Sequence, residues 1–309
     1  MTMLSRRSFL AGSAVSLGCA SSVLRAAQAA APGPLGLPIG LQLYSVRDAV
    51  EKDLGGTLRT LAGIGYGEVE LAGILPVPAA QLRTMLADCG LRAPSMHASM
   101  EDLQAGLSQR LDYAREVGAE YLVCAFPWTA DGRYRHAPDG ALASGITLDD
   151  WRWNADELNR IGEKTREAGI RCAYHNHNIE FRTYGAVSGY QALLERTSPA
   201  LVSMEVDIAW VVTAGLDPAR FLREHAARIS MLHVKDVRKD ARIVQDKVEA
   251  QTTDLGTGRI DWPRVFASVP AGTVRHCFVE QENFTGTPLE AARANFEYLH
   301  RLSARTARL

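Results

Sequence analysis

Eight short apolar runs, each followed by a segment of helical spacing, predict a single (β/α)8 barrel for this chain. Three observations carry that reading. The runs are continuous rather than alternating, as expected of parallel strands covered by helices. Glycine closes the helical segment before the next run at Gly65, Gly90, Gly118 and Gly169. No G-x-G-x-x-G follows the first run, so the usual mark of an open doubly wound sheet is missing.

Strands are expected over residues 39–45, 67–71, 91–97, 120–125, 170–174, 201–206, 229–234 and 274–279. The intervening helices are expected over 54–64, 79–89, 103–117, 148–168, 190–196, 218–227, 262–269 and 289–302. Between 126 and 147 the pattern lapses into Pro, Gly, Asp and aromatics, which reads as a lid over a functional face.

The barrel is expected to occupy 38–309, after a linker at 31–37 and an export signal at 1–30. Ser5-Arg6-Arg7-Ser8-Phe9-Leu10 is a twin-arginine motif, followed by a weakly apolar stretch and Ala27-Gln28-Ala29. The stretch is short, diluted by Ser and Gly and interrupted by Arg25, which opposes a membrane anchor. The twin-arginine export machinery is therefore an expected partner, with cleavage near Ala29 and a periplasmic destination.

Formal net charge is −1, and 30 residues of signal carry three arginines and no acid, leaving 31 basic against 35 acidic groups. No polyanion-binding excess remains, so nucleic acid is not an expected partner. Outside the signal, Cys89, Cys124, Cys172 and Cys277 have no Cys-x-x-Cys spacing, and three lie in apolar runs as small hydrophobes.

Chemistry collects at the ends of the runs. In strand order the candidates are Tyr44, Glu70, His97, Trp128, the segment His175-Asn-His177-Asn-Ile-Glu180, Asp207 with Trp210, His233 with Lys235 and Asp236, and Glu280 with Glu282. In a barrel these ends face one mouth. Glu180, Asp207, His233 and Glu280 form a mostly oxygen donor set suited to one divalent ion, Mn2+, Mg2+, Co2+ or Zn2+. One acid alone at a strand end more often caps the next helix; four in register are harder to explain that way. His97, His175, His177, Trp210, Lys235 and Glu282 are candidate substrate contacts, with His175 and His177 as alternative ligands to Glu180. The turn Gly256-Thr-Gly258 is a weak phosphate-loop candidate, and Asp261 reads as the cap of the helix after it.

Gln42-Leu-Tyr-Ser45, Tyr174-His-Asn-His177 with Glu180, Glu205-Val-Asp207, His233-Val-Lys-Asp236, Gly256-x-Gly-x-Ile-Asp-Trp262 and Val279-Glu-Gln-Glu282 together resemble the sugar isomerase/epimerase superfamily. These are xylose isomerase-like barrels, akin to ketose 3-epimerases and inosose dehydratases. The resemblance implies a divalent metal held by Glu, Asp, His and Glu from strands five to eight, and two glutamates that move protons on opposite faces of a sugar. Carried over, Asp207, His233 and Glu280 match, with Glu180 as the strand-five glutamate and Glu180 and Glu280 as the proton-moving pair. The ketose epimerases have that glutamate earlier, where this chain has Tyr174-His175, and a histidine where it has Trp210. The departure leans towards keto-sugars or keto-glycosides. The expected activity is therefore a metal-dependent isomerase or epimerase acting through an enediolate, with a 3-keto-glycoside lyase or hydratase as the alternative. A non-catalytic sugar-binding barrel and an endonuclease-IV-like phosphodiesterase are rivals, the latter opposed by the acidic balance and few histidines. Homo-oligomers are common among such relatives.

Overall fold

Short runs rich in Val, Leu and Met lie side by side in the computed structural model, which describes residues 32–133 and 143–306. The expected signal at 1–30 and the middle of the expected lid, 134–142, lie outside the described residues. The strands are β1 (Ile39–Gln42), β2 (Glu68–Leu71), β3 (Arg92–Ser99), β4 (Tyr121–Phe126), β5 (Arg171–His175), β6 (Val202–Asp207), β7 (Ile229–Val234) and β8 (His276–Val279). All neighbouring pairs are parallel, and β1 pairs with β8 to close the barrel. Around it run α1 (Leu54–Ile64), α2 (Ala79–Cys89), α3 (Met100–Val117), α4 (Leu148–Glu167), α5 (Gly189–Arg196), α6 (Pro218–Glu224), α7 (Trp262–Ala267) and α8 (Pro288–Thr306).

Local signals place the helix ends. Ser99 with Asp102 and Thr147 with Asp150 form reciprocal capping boxes at the starts of α3 and α4. Gly90 and Gly118 end α2 and α3 in the left-handed region, φ 71° and 95°, where a side chain would be strained. Two short helices were not expected: Arg47–Lys52 soon after β1, and Ile208–Thr213 directly after β6. Helix α6 stops at Glu224, and a 3-10 turn at Ala226–Arg228 completes the expected segment.

Because side chains alternate along a strand, the barrel interior is layered. At the lower end His276 Nδ1 lies 2.8 Å from Glu68 Oε2, and Arg92 pairs with the same glutamate. Above them Tyr121, Val123, Ala173, Met231 and Phe278 form an apolar plug. Gly40 has no side chain because a Cβ there would stand 2.5 Å from the Phe278 ring. Two residues further along β2, β6 and β7 the inward positions turn polar, and there the site begins.

One loop at the mouth is built around Asp236. Its Oδ1 accepts from the amides of Val237 (2.8 Å) and Ile260 (3.2 Å). Its Oδ2 accepts from the amide of Gly256 (2.9 Å) and from Trp262 Nε1 (3.1 Å). The glycine turn considered as a phosphate loop thus already cradles a carboxylate of its own chain. Asp261 caps α7, accepting from the Arg264 amide at 3.1 Å. Replacing Asp236 with Ala strands four donors, each costing about 1–3 kcal/mol when buried without a partner. Urea denaturation should therefore show Asp236→Ala losing at least about 3 kcal/mol. Gly258→Ala should also destabilise, since its methyl would meet Asp236 Oδ1 at 2.2 Å and the Val237 carbonyl at 2.4 Å.

Candidate active site

Strand ends β6, β7 and β8 deliver three of the four expected ligands to one place. Asp207 serves two purposes: Oδ1 caps the helix Ile208–Thr213 through the amides of Ala209 (2.8 Å) and Trp210 (3.2 Å), while Oδ2 turns into the barrel. His233 Nδ1 lies 2.9 Å from Glu280 Oε2 and 4.0 Å from Asp207 Oδ2. Lys235, two residues beyond His233 and so on its side, reaches Glu282 Oε1 at 2.6 Å, Glu280 Oε2 at 2.7 Å and Asp207 Oδ2 at 3.0 Å. The last contact is electrostatic only, because Asp207 Oδ2 has no aligned hydrogen-bond donor.

Glu180, expected as metal ligand and proton-transfer group, is not brought to this place. Strand β5 ends at His175, and the chain then enters a 3-10 turn at Ile179–Phe181. Glu180 is wholly buried behind that turn. Its Oε1 accepts from the Tyr174 hydroxyl at 2.7 Å and its Oε2 from the His177 amide at 2.9 Å. Burial pushes its carboxyl up to about 7. The strand-five position facing the cluster belongs to His175: one ligand atom each from His175, Asp207, His233 and Glu280 lies within 4.8 Å of all the others. His177 lines the cavity beside Trp210, ring centres 5.4 Å apart, and its Nδ1 has no partner. Its imidazole is driven down to about 3 by burial and by the Lys235 charge, so it is neutral.

A second polar layer lies directly beneath. In the sequence Glu205 stands out only as part of the motif Glu205-Val-Asp207, and Glu70 only as a strand end. Glu205 Oε2 meets His97 Nε2 at 2.7 Å and His175 Nδ1 at 3.2 Å. Glu70 Oε2 meets His233 Nε2 at 2.6 Å and His97 Nε2 at 3.1 Å, and accepts from Gln42 Nε2 at 2.8 Å; Ser95 donates to its Oε1. The signal for Glu205 was period two on β6, since it is one alternation below Asp207.

The donor set suits a divalent cation. Glu205 Oε1 and Asp207 Oδ2 are buried without hydrogen-bond partners, and the surrounding donors are carboxylate oxygens and imidazole nitrogens. Among the described residues, Lys235 is the one lysine or arginine paired with Asp207, Glu280 or Glu282. Burial opposes ionisation of Glu280, but Lys235 and His233 overcome it and hold the carboxyl well below its usual range. Glu282 differs: burial raises it to about 7 against the pull of Lys235, and its Oε2 has no partner. Above these groups opens a cavity of about 860 Å3, walled by Tyr44, Ile74, Phe126, Trp128 and Trp210, with His97, Lys235, Glu280 and Glu282 also on its lining. Asp236 takes no part, being spent on its loop.

Residues 58–302 match the model of the xylose isomerase-like TIM barrel family. Inosose dehydratase of Geobacillus kaustophilus strain HTA426 is 24% identical over 79% of this chain and 86% of its own. A sugar phosphate isomerase/epimerase from Parabacteroides distasonis superposes with a TM-score of 0.69 at 23% identity, covering 87% of this chain and 95% of that one. The IOLI protein, solved with a bound zinc atom, superposes with a TM-score of 0.60 at 11% identity, covering 88% and 96%.

The placement of Glu180 separates two variants. Glu180→Ala leaves the buried Tyr174 hydroxyl and His177 amide without an acceptor, and should cost about 2 kcal/mol or more in a denaturant titration. It should keep divalent-ion binding, whereas Asp207→Ala should lose it; calorimetric titration with Mn2+ or Zn2+ reads both.

Proposed function

The chain belongs to the xylose isomerase-like TIM barrel family, and from that premise we propose a divalent-metal-dependent enzyme that removes the proton beside a carbohydrate carbonyl and expels an oxygen from the next carbon. That makes it a carbon–oxygen lyase of the dehydratase or keto-glycoside type. The observation carrying this reading is the convergence of His175, Asp207, His233 and Glu280 on one point, with His175 and Glu280 on the cavity lining and the Lys235–Glu282 pair beside them. His175, Asp207, His233 and Glu280 would hold the ion, in line with the zinc bound by the IOLI protein. Bound there, a divalent cation would polarise the carbonyl oxygen and acidify the neighbouring C–H.

The other steps fall to side chains. Glu282 has a free oxygen and a carboxyl raised to about 7, as a general base working near neutrality requires. It takes the α-proton; the C–H electron pair becomes the new C=C bond, and the β-oxygen departs with its bonding pair. Lys235 is kept as an ammonium by Asp207, Glu280 and Glu282 despite its burial, and gives the departing oxygen a proton. Trp210 packs under the Lys235 ammonium at 5.0 Å and limits where it can swing.

Elimination is favoured over proton return to the opposite face for a geometric reason. Glu180, the expected second acid, does not line the cavity, and across the barrel from β8 the floor offers the neutral His177. The dehydratase relative accords with this. Epimerisation or isomerisation is the second reading. It shares the first step and is favoured by His97, which lines the cavity; burial works against its charge, but Glu70 and Glu205 raise it to about 9, so it carries a proton to return.

The cavity, about 860 Å3, sits at the upper end of the usual ~300–1,000 Å3 for small-molecule sites. Its apolar and aromatic upper wall suits a carbohydrate bearing a further ring, as in a keto-glycoside. Export by the twin-arginine route, from Arg6 and Arg7, would place the enzyme where such glycosides arrive from outside.

The test is incubation of metal-loaded protein with inososes, ketoses and 3-keto-glycosides in D2O. The expected result is release of water or aglycone with loss of the α-hydrogen. Glu282→Gln should keep the ion yet lower kcat by about 10²–10⁴-fold, and Glu280→Ala should lose the ion. A C-epimer formed without any release would move the assignment to the second reading. Wild-type protein that takes up no divalent ion would overturn both.

A further inference from the structure

We propose that Glu70 and Glu205 are positioning residues that set the tautomers of His233 and His175, so that His233 offers its Nδ1 lone pair to the ion and His175 its Nε2. The proposal rests on the metal-dependent reading above and goes beyond it to the layer beneath the ligands.

A neutral imidazole has one N–H and one lone pair, and which nitrogen holds which is decided by the partner of the other. His233 is gripped from both sides. Nε2 lies 2.6 Å from Glu70 Oε2 below, and Nδ1 faces Glu280 and Asp207 at 2.9 and 4.0 Å above. An ionised carboxylate only accepts, so each of these contacts takes a hydrogen from His233 until an ion among Nδ1, Glu280 and Asp207 displaces the one on Nδ1; Glu70 keeps the hydrogen on Nε2 and so leaves Nδ1 as the nitrogen that ligates. His175 faces Glu205 Oε2 through Nδ1 at 3.2 Å, which leaves Nε2 as its nitrogen for the ion. His97 ties the two acids together, its Nε2 lying 2.7 Å from Glu205 and 3.1 Å from Glu70.

Glu70 is itself held. Gln42 and Ser95 donate to its two oxygens, and the side chain is wholly buried, so it cannot rotate away from His233. Neither Glu70 nor Glu205 lines the cavity. Carboxylates that orient ligating histidines in this way typically change metal affinity 10–100-fold when removed. In Glu70→Gln the amide can present its NH2 to His233 Nε2, which favours the wrong tautomer and covers the ligating nitrogen with a proton.

Glu68 supplies the control. It sits two residues before Glu70, is equally buried, and also pairs with a histidine, His276 at 2.8 Å, but on the far side of the apolar plug. Glu68→Gln should disturb the barrel without reaching the ion.

The experiment loads wild type, Glu70→Gln and Glu68→Gln with Co2+ and follows the d–d absorption and chelator competition. Histidine 15N shifts are recorded on the Zn2+-loaded wild type, which needs no variant to fold. The expected result is Co2+ affinity weakened about 10–100-fold with an altered spectrum in Glu70→Gln, and an unchanged spectrum and affinity in Glu68→Gln. The 15N spectrum should show His233 protonated at Nε2 and coordinated through Nδ1. Unchanged Co2+ binding in Glu70→Gln, equal loss in both variants, or coordination through His233 Nε2 would overturn the positioning role while leaving the metal reading standing. Wild type that binds neither ion would instead remove the reading on which it rests.

Discussion

Glu70, Glu205, Asp207, Glu280 and Glu282 crowd into the upper end of one barrel, and Lys235 is the one lysine or arginine paired with any of them among the described residues. Two carboxylates about 4 Å apart repel by about 4 kcal/mol at an effective dielectric near 20. A domain whose whole stability is about 5–15 kcal/mol cannot carry several such pairs uncompensated. Protons or positive charge must therefore enter the cluster, on a carboxyl such as Glu282, as imidazolium from His97, or as a divalent ion. That requirement orders the rest of the site. Histidines alternate with acids in the inner layer, lysine stands among acids in the outer layer, and the two layers share His233.

The barrel meets this requirement by separating its layers along the strand. Period-two alternation places Glu68, Glu70 and then the mouth along β2, and Glu205 then Asp207 along β6. Between the lower ion pair and the upper cluster the interior is filled by Tyr121, Val123, Ala173, Met231 and Phe278. The plug makes the cluster blind from below, so any ion or substrate enters by the mouth. It also keeps the dielectric low under the cluster, which strengthens each charge contact above it. At the rim, Asp236 turns four donors of the loop inward on itself and so fixes the loop that frames one side of the cavity without lending a charge to the floor.

Legibility in the sequence followed how directly a residue's direction could be inferred from strand periodicity. All eight strands were readable as apolar runs, four of them after a glycine that closes the preceding helical segment, and Asp207, His233 and Glu280 were readable as strand ends in register. Glu180 misled because it stands five residues beyond β5, after the chain has left strand geometry for a 3-10 turn, where counting residues no longer tells direction. His175, the last residue of the strand, was the position the rule actually selected. Glu205 and Glu70 were harder, because each sits inside an apolar run and looks like an exception to it. Only pairing partners on other strands explain them: Glu205 with His97 and His175, Glu70 with His97 and His233. The helix cap at Asp207 shows that the bland reading and the functional one need not compete, since the two oxygens of one carboxylate do different work.

Lys235 is the residue on which the chemical outcome turns. An ammonium beside ligand-competent carboxylates duplicates the charge an ion would bring, yet it reaches Glu282, which belongs to neither ligand-competent group. Lysine thus links that cluster to Glu282, which lines the cavity and has an unengaged oxygen. A proton taken by Glu282 and a proton given by Lys235 begin and end within one hydrogen-bonded pair, so the pair's total charge is unchanged over the reaction once it re-equilibrates. The proposed elimination would use that pairing, because it removes one proton from carbon and delivers one to oxygen. Proton return to the opposite face would leave Lys235 without a role and would draw instead on His97, whose charge already balances Glu70 and Glu205. Spending that proton would uncover the buried Glu70 and Glu205 at once, and the electrostatic cost falls on the layer that touches His175 and His233.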